Sequence, residues 1–343
     1  MDFTPTEAQA EARDLAARIF GDLATHERLK AAGTGSDPEL WKALCTAGLV
    51  GAVSELGLLG LVLLLEEQGR TTAQVPYAAT CVYGLLAVGS HGTREQRERL
   101  LPGIEDGSVV VGGAFPAQGG VRVSGQGELT GSVPVVPWLR DATHALVADT
   151  GRRLWLAPLG EGTVSSPVEL TAPWSAARLT LDRAPAELLG GSGEAAYADV
   201  LATARTAFAG LQAGVCAGSL ARAVAHTNTR EQFGRPLATR QAVQLRAADA
   251  HMDTEAIRVT AYEAAWRRDA GLPYATHALT AAWWASEAGQ RVVHTGQHLH
   301  GGAGADLDHP VHRHFLWGRQ LDAYLGCGAE MLQELGELIT HGE

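Results

Sequence analysis

A chain of 343 residues is long enough for two or three packed units, and its 46% hydrophobic and 19% charged residues are typical of a globular protein. The formal net charge of −11, with no block of lysines or arginines, argues against a nucleic-acid-binding surface. The apolar run at residues 56–65 is too short to span a bilayer and is followed by Glu66 and Glu67. It predicts a buried helix and no membrane contact.

The cysteines are scattered without paired spacing, which predicts reduced thiols rather than disulfides or metal ligands. They are Cys45, Cys81, Cys216 and Cys327. The first residues lack the basic and then apolar layout of a signal peptide. The expected location is therefore the cytoplasm.

Residues 1–106 carry helical patterns throughout and predict an all-helical unit. Thr4, Pro5 and Glu7 match a capping box with proline at the first helical position. A short charged helix is predicted at residues 93–101, and Pro102 with Gly103 is expected to end it.

Residues 107–193 have a different pattern, in which short runs of valine and leucine alternate with glycine, serine, threonine and proline. Such spacing predicts a small antiparallel β domain. The predicted strands cover residues 109–111, 121–123, 145–147, 154–157 and 179–181.

Residues 194–343 return to helical periodicity and predict an antiparallel bundle of long helices. Two apolar stripes mark the first two helices. The first stripe is Leu201, Ala204, Phe208, Leu211 and Val215, and the second is Leu245, Ala248, Met252, Ala256 and Val259. Asp306 and Asp308, before Pro310, are predicted to cap the helix that follows.

One segment of this region, NTREQFGRPLATRQAVQ at residues 228–244, combines a helix end, a break and a new helix start. Gly234 suits a position just past a helix C-terminus, and Pro236 cannot continue that helix. Thr239 is a suitable N-cap for the next helix.

The side chains around this break suit an anionic ligand. Arg230, Gln232 and Phe233 are predicted to leave the helix end together, with Gln241 projecting from the start of the next helix. A guanidinium fork beside amide donors suits a pyrophosphate, and Phe233 offers a flat apolar wall. On spacing alone an alternative stays open, in which Arg230 caps the last helical carbonyls and Phe233 lies in the core.

The segment REQFGRP at residues 230–236, followed by Gln241, resembles the flavin-binding signature of the acyl-CoA dehydrogenase family. QHLHGGAG at residues 297–304 is similar to the later glycine turn of that family. WKALCTAGL at residues 41–49 and EEQGR at residues 66–70 resemble its N-terminal domain.

The resemblance implies a mainly α fold with a small β domain. Its parts are an N-terminal helical domain at 1–106, a middle antiparallel β domain at 107–193 and a C-terminal antiparallel helical bundle at 194–343. It also implies FAD as cofactor. The candidate FAD-binding residues are Arg230, Gln232, Phe233, Gln241, Gln297, His298, Gly301 and Gly302, with the alignment uncertain by one residue between Gln297 and His298.

The resemblance also implies a reaction for which this chain lacks a base. Family members remove a proton next to the thioester while a hydride leaves the next carbon for the flavin, and the proton requires a carboxylate. Leu325 stands at the position of the base in many members, and Ala204, beside Arg205, stands at the alternative position. The loop that contacts the flavin ring corresponds to AFPAQGGVRVS, residues 114–124, and lacks the family pattern. No catalytic residue is predicted.

In the family, the segments kept here reach the FAD of a neighbouring subunit, whereas the lost ones serve a subunit's own active site. The chain therefore resembles the base-less subunit of the heteromeric acyl-CoA dehydrogenases of actinobacterial sterol side-chain degradation. This implies an acyl-CoA substrate and a homologous partner that carries the catalytic glutamate, in an α2β2 assembly. Two alternatives stay open: a homomeric flavoenzyme that uses Glu255, Glu263 or Glu287, and a non-catalytic protein that kept the fold.

Six histidines crowd the region between residues 294 and 314 without a cysteine or carboxylate at ligand spacing, so no metal is expected. They are His294, His298, His300, His309, His312 and His314.

Overall fold

The computed structural model describes residues 2–115, 120–125, 127–191 and 193–341. It is mostly helical with a small β domain, which confirms the predicted fold class. The chain forms two compact units, one of Met1–His26, Val62–Ala73 and Arg205–Glu343, the other of Glu27–Leu61 and Gln74–Ala204. The three-domain division at residues 106 and 193 stays a prediction.

The helices before the first strand are joined by short turns, and a π-helical turn, Thr80–Leu86, links two of them. They are α1 (Glu7–Leu23), α2 (His26–Ala32), α3 (Pro38–Thr46), α4 (Val53–Thr71), α5 (Tyr77–Ala79), α6 (Ala87–His91) and α7 (Arg94–Glu105).

The first helix begins later than predicted. Its N-cap is Thr6, whose hydroxyl accepts from the backbone N–H of Gln9 while the Gln9 side chain reaches back to the Thr6 backbone. The predicted cap at Thr4 is wrong because Thr6 has a glutamine three residues later, which completes the reciprocal capping box.

Pro102 does not end α7, contrary to the prediction. The helix continues through it to Glu105. Ile104, in the last turn, is fully buried. Burial of an isoleucine side chain is worth about 1.5–3 kcal/mol, which offsets much of the cost of an interior proline.

The strands form two four-stranded sheets. They are β1 (Val111–Ala114), β2 (Arg122–Val123), β3 (Glu128–Val136), β4 (His144–Ala148), β5 (Leu154–Pro158), β6 (Thr163–Pro167), β7 (Ala177–Pro185) and β8 (Glu187–Leu188). One sheet has the order β1-β4-β5-β8 and the other β2-β3-β7-β6. Pairing is antiparallel except between β1 and β4, which run parallel.

The inner faces of the two sheets share one core, in which Leu129 and Leu181 lie with Val147 and Trp155. The prediction missed β3, β6 and β8. Most residues of β3 and all of β6 are exposed or half-buried, so they lack a continuous apolar run.

The remaining helices are α8 (Glu194–Thr229), α9 (Gln241–Asp269), α10 (Ala275–His300), α11 (Pro310–Leu321) and α12 (Gly328–His341). α4 crosses α8 closely because Gly214 has no side chain: a Cβ there would lie 2.1 Å from the Glu66 carbonyl oxygen. By length and composition alone α8 could cross a membrane. However, 72% of its most apolar stretch is buried, and a buried core helix passes the same test.

The two predicted apolar stripes have different outcomes. All five residues on α8, among them Phe208 and Leu211, are buried. On α9, by contrast, Leu245, Met252 and Val259 are exposed by 57%, 62% and 48%. The buried face of α9 is built instead from small residues and Ile257, so Leu245, Met252 and Val259 do not lie in the core of the chain.

The cap of α11 also differs from the prediction. His309 is the N-cap, and its Nδ1 accepts from the backbone N–H of Val311. Asp306 accepts from the backbone N–H of Asp308 instead, so neither aspartate caps the helix.

Candidate functional site

The predicted ligand-binding segment forms a β-hairpin. After α8 ends, β9 (Glu231–Gln232) and β10 (Arg235–Pro236) pair antiparallel. Phe233 and Gly234 form the two-residue loop with φ of 55° and 74°. Two successive positive φ values are typical of the type I′ turn, so Gly234 serves a hairpin and not a helix end.

Phe233 is the most exposed large hydrophobic side chain among the described residues, at 91%. This excludes the core alternative for Phe233. A bulky residue at positive φ is also strained, and strained, exposed residues concentrate at binding sites.

Arg240 positions the hairpin tip, a role that the sequence did not reveal. Its guanidinium lies 5.1 Å from the centroid of the Phe233 ring and donates to the carbonyl oxygen of Gln232 at 2.9 Å. Arg240 is also the N-cap residue of α9, although its side chain makes no capping bond. The predicted cap, Thr239, instead donates to the Pro236 carbonyl oxygen.

The polar residues of the segment are free to meet a ligand. Arg230, Gln232 and Gln241 are all exposed. Within the described parts of the chain, no hydrogen bond or ion pair engages their side chains. The Arg230 backbone N–H donates to the His226 carbonyl oxygen, so Arg230 extends the last turn of α8.

A histidine stack joins this segment to the predicted glycine turn. His226, one turn before Arg230, and His300, next to Gly301, have ring centroids 4.6 Å apart. Gly301 has φ 62°, and open space surrounds the positions where side chains would stand at Gly301 and Gly302. The structure thus brings both predicted segments together at the adjoining ends of α8 and α10.

The two candidates preceding this turn differ in their contacts. The Gln297 side chain donates to the Gly304 carbonyl oxygen at 3.1 Å and so stabilises the turn itself. His298 is exposed. The ligand-binding role of either residue stays a prediction.

The Leu325 position is closed. Leu325 is only 6% exposed and borders a cavity of about 20 Å³. Phe208 and Tyr324 pack edge to face beside it, with ring centroids 4.8 Å apart. A cavity of this size holds about one water molecule, far less than an acyl chain needs.

A positive charge, not a carboxylate, borders the same cavity. Arg205 is 8% exposed and forms a bidentate ion pair with Glu334 at 2.8 and 2.7 Å. Ala204 is fully buried. Neither predicted base position therefore offers a proton acceptor.

The loop predicted to contact a flavin ring lies partly outside the described residues, at 116–119. Phe115, which leads into it, packs between two tyrosines. Its ring centroid lies 5.6 Å from that of Tyr83 and 5.2 Å from that of Tyr197. Stacking on both tyrosines therefore fixes the position of Phe115.

Two of the alternative acids are already engaged. Glu255 pairs with Arg258, and Glu263 lies 3.3 Å from His277. Glu287 is half-buried, with Oε1 close to Gly328. Across the described ranges, no three histidine, cysteine or acidic side chains converge as metal ligands would. The expectation of no metal stays a prediction.

Two family models match the chain: the acyl-CoA dehydrogenase N-terminal domain over residues 6–108 and the acyl-CoA dehydrogenase C-terminal domain over residues 191–339. Acyl-CoA dehydrogenase FadE27 of Mycobacterium tuberculosis is 33% identical, over 99% of both chains. This chain belongs to the acyl-CoA dehydrogenase family, whose members depend on FAD.

Solved structures agree with this assignment. The Tcur3481-Tcur3483 steroid ACAD G363A variant is 42% identical, covers 98% of each chain and has a TM-score of 0.92. The ChsE4-ChsE5 complex from Mycobacterium tuberculosis is 30% identical, covers 99% of each chain and has a TM-score of 0.93. Both of these relatives are heteromeric assemblies.

The residues at the ends of α8 and α10 fit one half of FAD. An unpaired guanidinium and two unpaired amides suit a pyrophosphate, and the open glycine turn lets a ligand approach the backbone. An exposed aromatic ring suits an apolar or aromatic ligand face. The closed Leu325 cavity fits neither a flavin ring nor an acyl group.

Proposed function

We propose that this chain is the base-less subunit of a heteromeric, FAD-dependent acyl-CoA dehydrogenase. It contributes the part of the FAD site that reaches across from a neighbouring subunit. One contrast carries the proposal: the Phe233 hairpin projects 91% exposed beside unpaired polar side chains, whereas Leu325 closes a cavity of about 20 Å³.

The residues of the chain bind and orient, and none of them moves a proton. The Arg230 fork would hold the pyrophosphate of FAD, Gln232 and Gln241 would offer amide donors, and Phe233 would offer an apolar surface. When bound, FAD supplies the hydride acceptor for α,β-desaturation of the acyl-CoA thioester. The proton removed from the adjacent carbon passes to a carboxylate of the partner subunit.

The partner is proposed to be a homologous subunit in an α2β2 assembly located in the cytoplasm. Leu245, Met252 and Val259 recur every seven residues along α9 and leave an exposed apolar row that such a partner would cover. The heteromeric steroid enzymes among the relatives support this assembly and make a steroid side-chain acyl-CoA the proposed substrate.

The test compares the purified chain with the chain assembled on its partner. The chain alone should be colourless and should not reduce a dye with an acyl-CoA. The complex should show a flavin absorption band and turn over. Replacing the partner's catalytic glutamate by glutamine should lower turnover at least about 10²–10⁴-fold, because a positioned base contributes that much.

Two results would contradict the proposal. Turnover of an acyl-CoA by the isolated chain at an ordinary rate would favour the homomeric alternative. A partner complex that binds neither flavin nor acyl-CoA would favour the non-catalytic alternative.

A further inference from the structure

A row of basic side chains runs along one face of the C-terminal half of α8. Arg222, His226 and Arg230 are spaced four residues apart, and this spacing places side chains on the same face of a helix. The row runs along the last turns of α8 towards the hairpin. Within it, His226 stacks on His300.

The chain carries an excess of acidic residues, yet no described carboxylate pairs with Arg222. No hydrogen bond or ion pair reaches its side chain from the described residues, and it is exposed on its outer side. Crowding by neighbouring groups lowers the pKa of its guanidinium through loss of hydration. An incompletely hydrated arginine without a carboxylate is suited to receive an anion.

The groups on which the charge of Arg222 acts are histidines at the start of α11 and within it. His300 ends α10, and its ring centroid lies 5.0 Å from that of His309, the N-cap of α11. The charge of Arg222 helps to lower the pKa of both His309 and His314, after burial as the main cause. Asp306 is the carboxylate that opposes this effect at His309.

We propose that Arg222 is a second phosphate-binding arginine, which acts with His226 and Arg230 as a stripe for a phosphoanion beside the glycine turn. The inference rests on the proposed function, since FAD and acyl-CoA both carry phosphates. The FAD pyrophosphate and the 3′-phosphate of CoA are the two sources with this chemistry. Arg230 alone provides one guanidinium fork, whereas the three side chains of the stripe together contact a longer anionic group.

The test uses the assembled complex and four proteins: wild type, Arg222→Gln, Arg222→Lys and the control Arg178→Gln. Arg178 is another exposed arginine, on β7, and no hydrogen bond or ion pair from the described residues engages its side chain. Flavin retained after dialysis is read from the absorption band. Inhibition by CoA is compared with inhibition by 3′-dephospho-CoA.

If the stripe binds the pyrophosphate, Arg222→Gln should weaken FAD retention about tenfold, as expected for loss of one charge-assisted contact. Arg222→Lys should be intermediate and Arg178→Gln unchanged. If the stripe binds the 3′-phosphate, FAD retention should hold, while the preference for CoA over 3′-dephospho-CoA should fall about tenfold.

Unchanged retention and unchanged preference in Arg222→Gln would overturn the inference. If Arg230→Ala still releases flavin in that case, the proposed function stands and only the role of Arg222 fails. A wild-type complex that holds no flavin and does not distinguish CoA from 3′-dephospho-CoA would overturn both.

Discussion

The hairpin after α8 and the Leu325 region belong to the same compact unit but have opposite properties. The hairpin is unusually exposed, and the Leu325 region is closed. At the hairpin, an aromatic ring and three polar side chains face outward, and no described residue forms a hydrogen bond or ion pair with those three side chains. Around Leu325, apolar side chains and an ion-paired arginine leave room for about one water. The hairpin therefore exposes groups that are suited to bind a ligand, whereas the Leu325 cavity is too small for an acyl group.

The largest expected effect concerns the stability of the filled region. Leu325→Ala should lower the free energy of unfolding of the chain by about 2–4 kcal/mol, because a buried leucine is replaced by a cavity. Turnover of the assembled complex should nevertheless stay within a few-fold. Denaturant unfolding and steady-state kinetics measure the two effects. A loss of turnover far beyond this range, in a complex that is still assembled, would show that Leu325 belongs to a working site.

The second effect is the pH dependence of the free energy of unfolding, to which a buried histidine contributes. Burial lowers the pKa of His314 to about 4, and its Nε2 lies 3.0 Å from the Arg70 carbonyl oxygen. The folded pKa of His314 is below the unfolded value of about 6.5. The stability that depends on neutral His314 is therefore fully present above pH 6.5 and is lost as the pH falls towards 4. It amounts to about 3 kcal/mol.

Unfolding free energies measured between about pH 7 and pH 4 test this contribution. His314→Gln should reduce the change in unfolding free energy across that window by about 3 kcal/mol, while the other histidines whose burial lowers their pKa keep the remainder of the slope. His251→Gln is the control, since the His251 side chain is 67% exposed. An equal slope in His314→Gln and wild type would contradict the assignment.

The third effect concerns the exposed region. Arg230→Ala, assembled with an unaltered partner, should weaken FAD retention about ten- to a hundredfold, because a charge-assisted fork is lost. The chain should unfold as wild type does, since Arg230 is exposed. Arg230→Lys keeps the charge without the fork. Its FAD retention should lie between that of wild type and that of Arg230→Ala. Unchanged flavin content after dialysis would remove the hairpin from the FAD site.

The smallest effect on the chain itself is expected at the hairpin tip. Phe233→Asn should change the free energy of unfolding by no more than about 0.5 kcal/mol, because the ring is exposed and asparagine tolerates positive φ. Flavin retention by the complex should still decrease. Destabilisation of the isolated chain by several kcal/mol would mean that Phe233 contributes to packing and not to a partner site.

The sequence by itself determined the fold class, the family and the segments that carry the candidate site. Long helical periodicity, short alternating runs and the REQFGRP motif are local patterns, and local patterns survive in a single sequence. Motif position also predicted that Leu325 and Ala204 stand where the family has its base.

Only the tertiary structure decided what surrounds these residues. Spacing allowed Phe233 to be core or ligand wall, and its 91% exposure at the tip of the type I′ hairpin excludes the core. Periodicity likewise marked the Leu245 row as apolar but could not say which face of α9 is buried. The pairing of His226 with His300 and of Arg205 with Glu334 joins residues 74 and 129 positions apart. Such contacts depend on how helices cross, which no local pattern encodes.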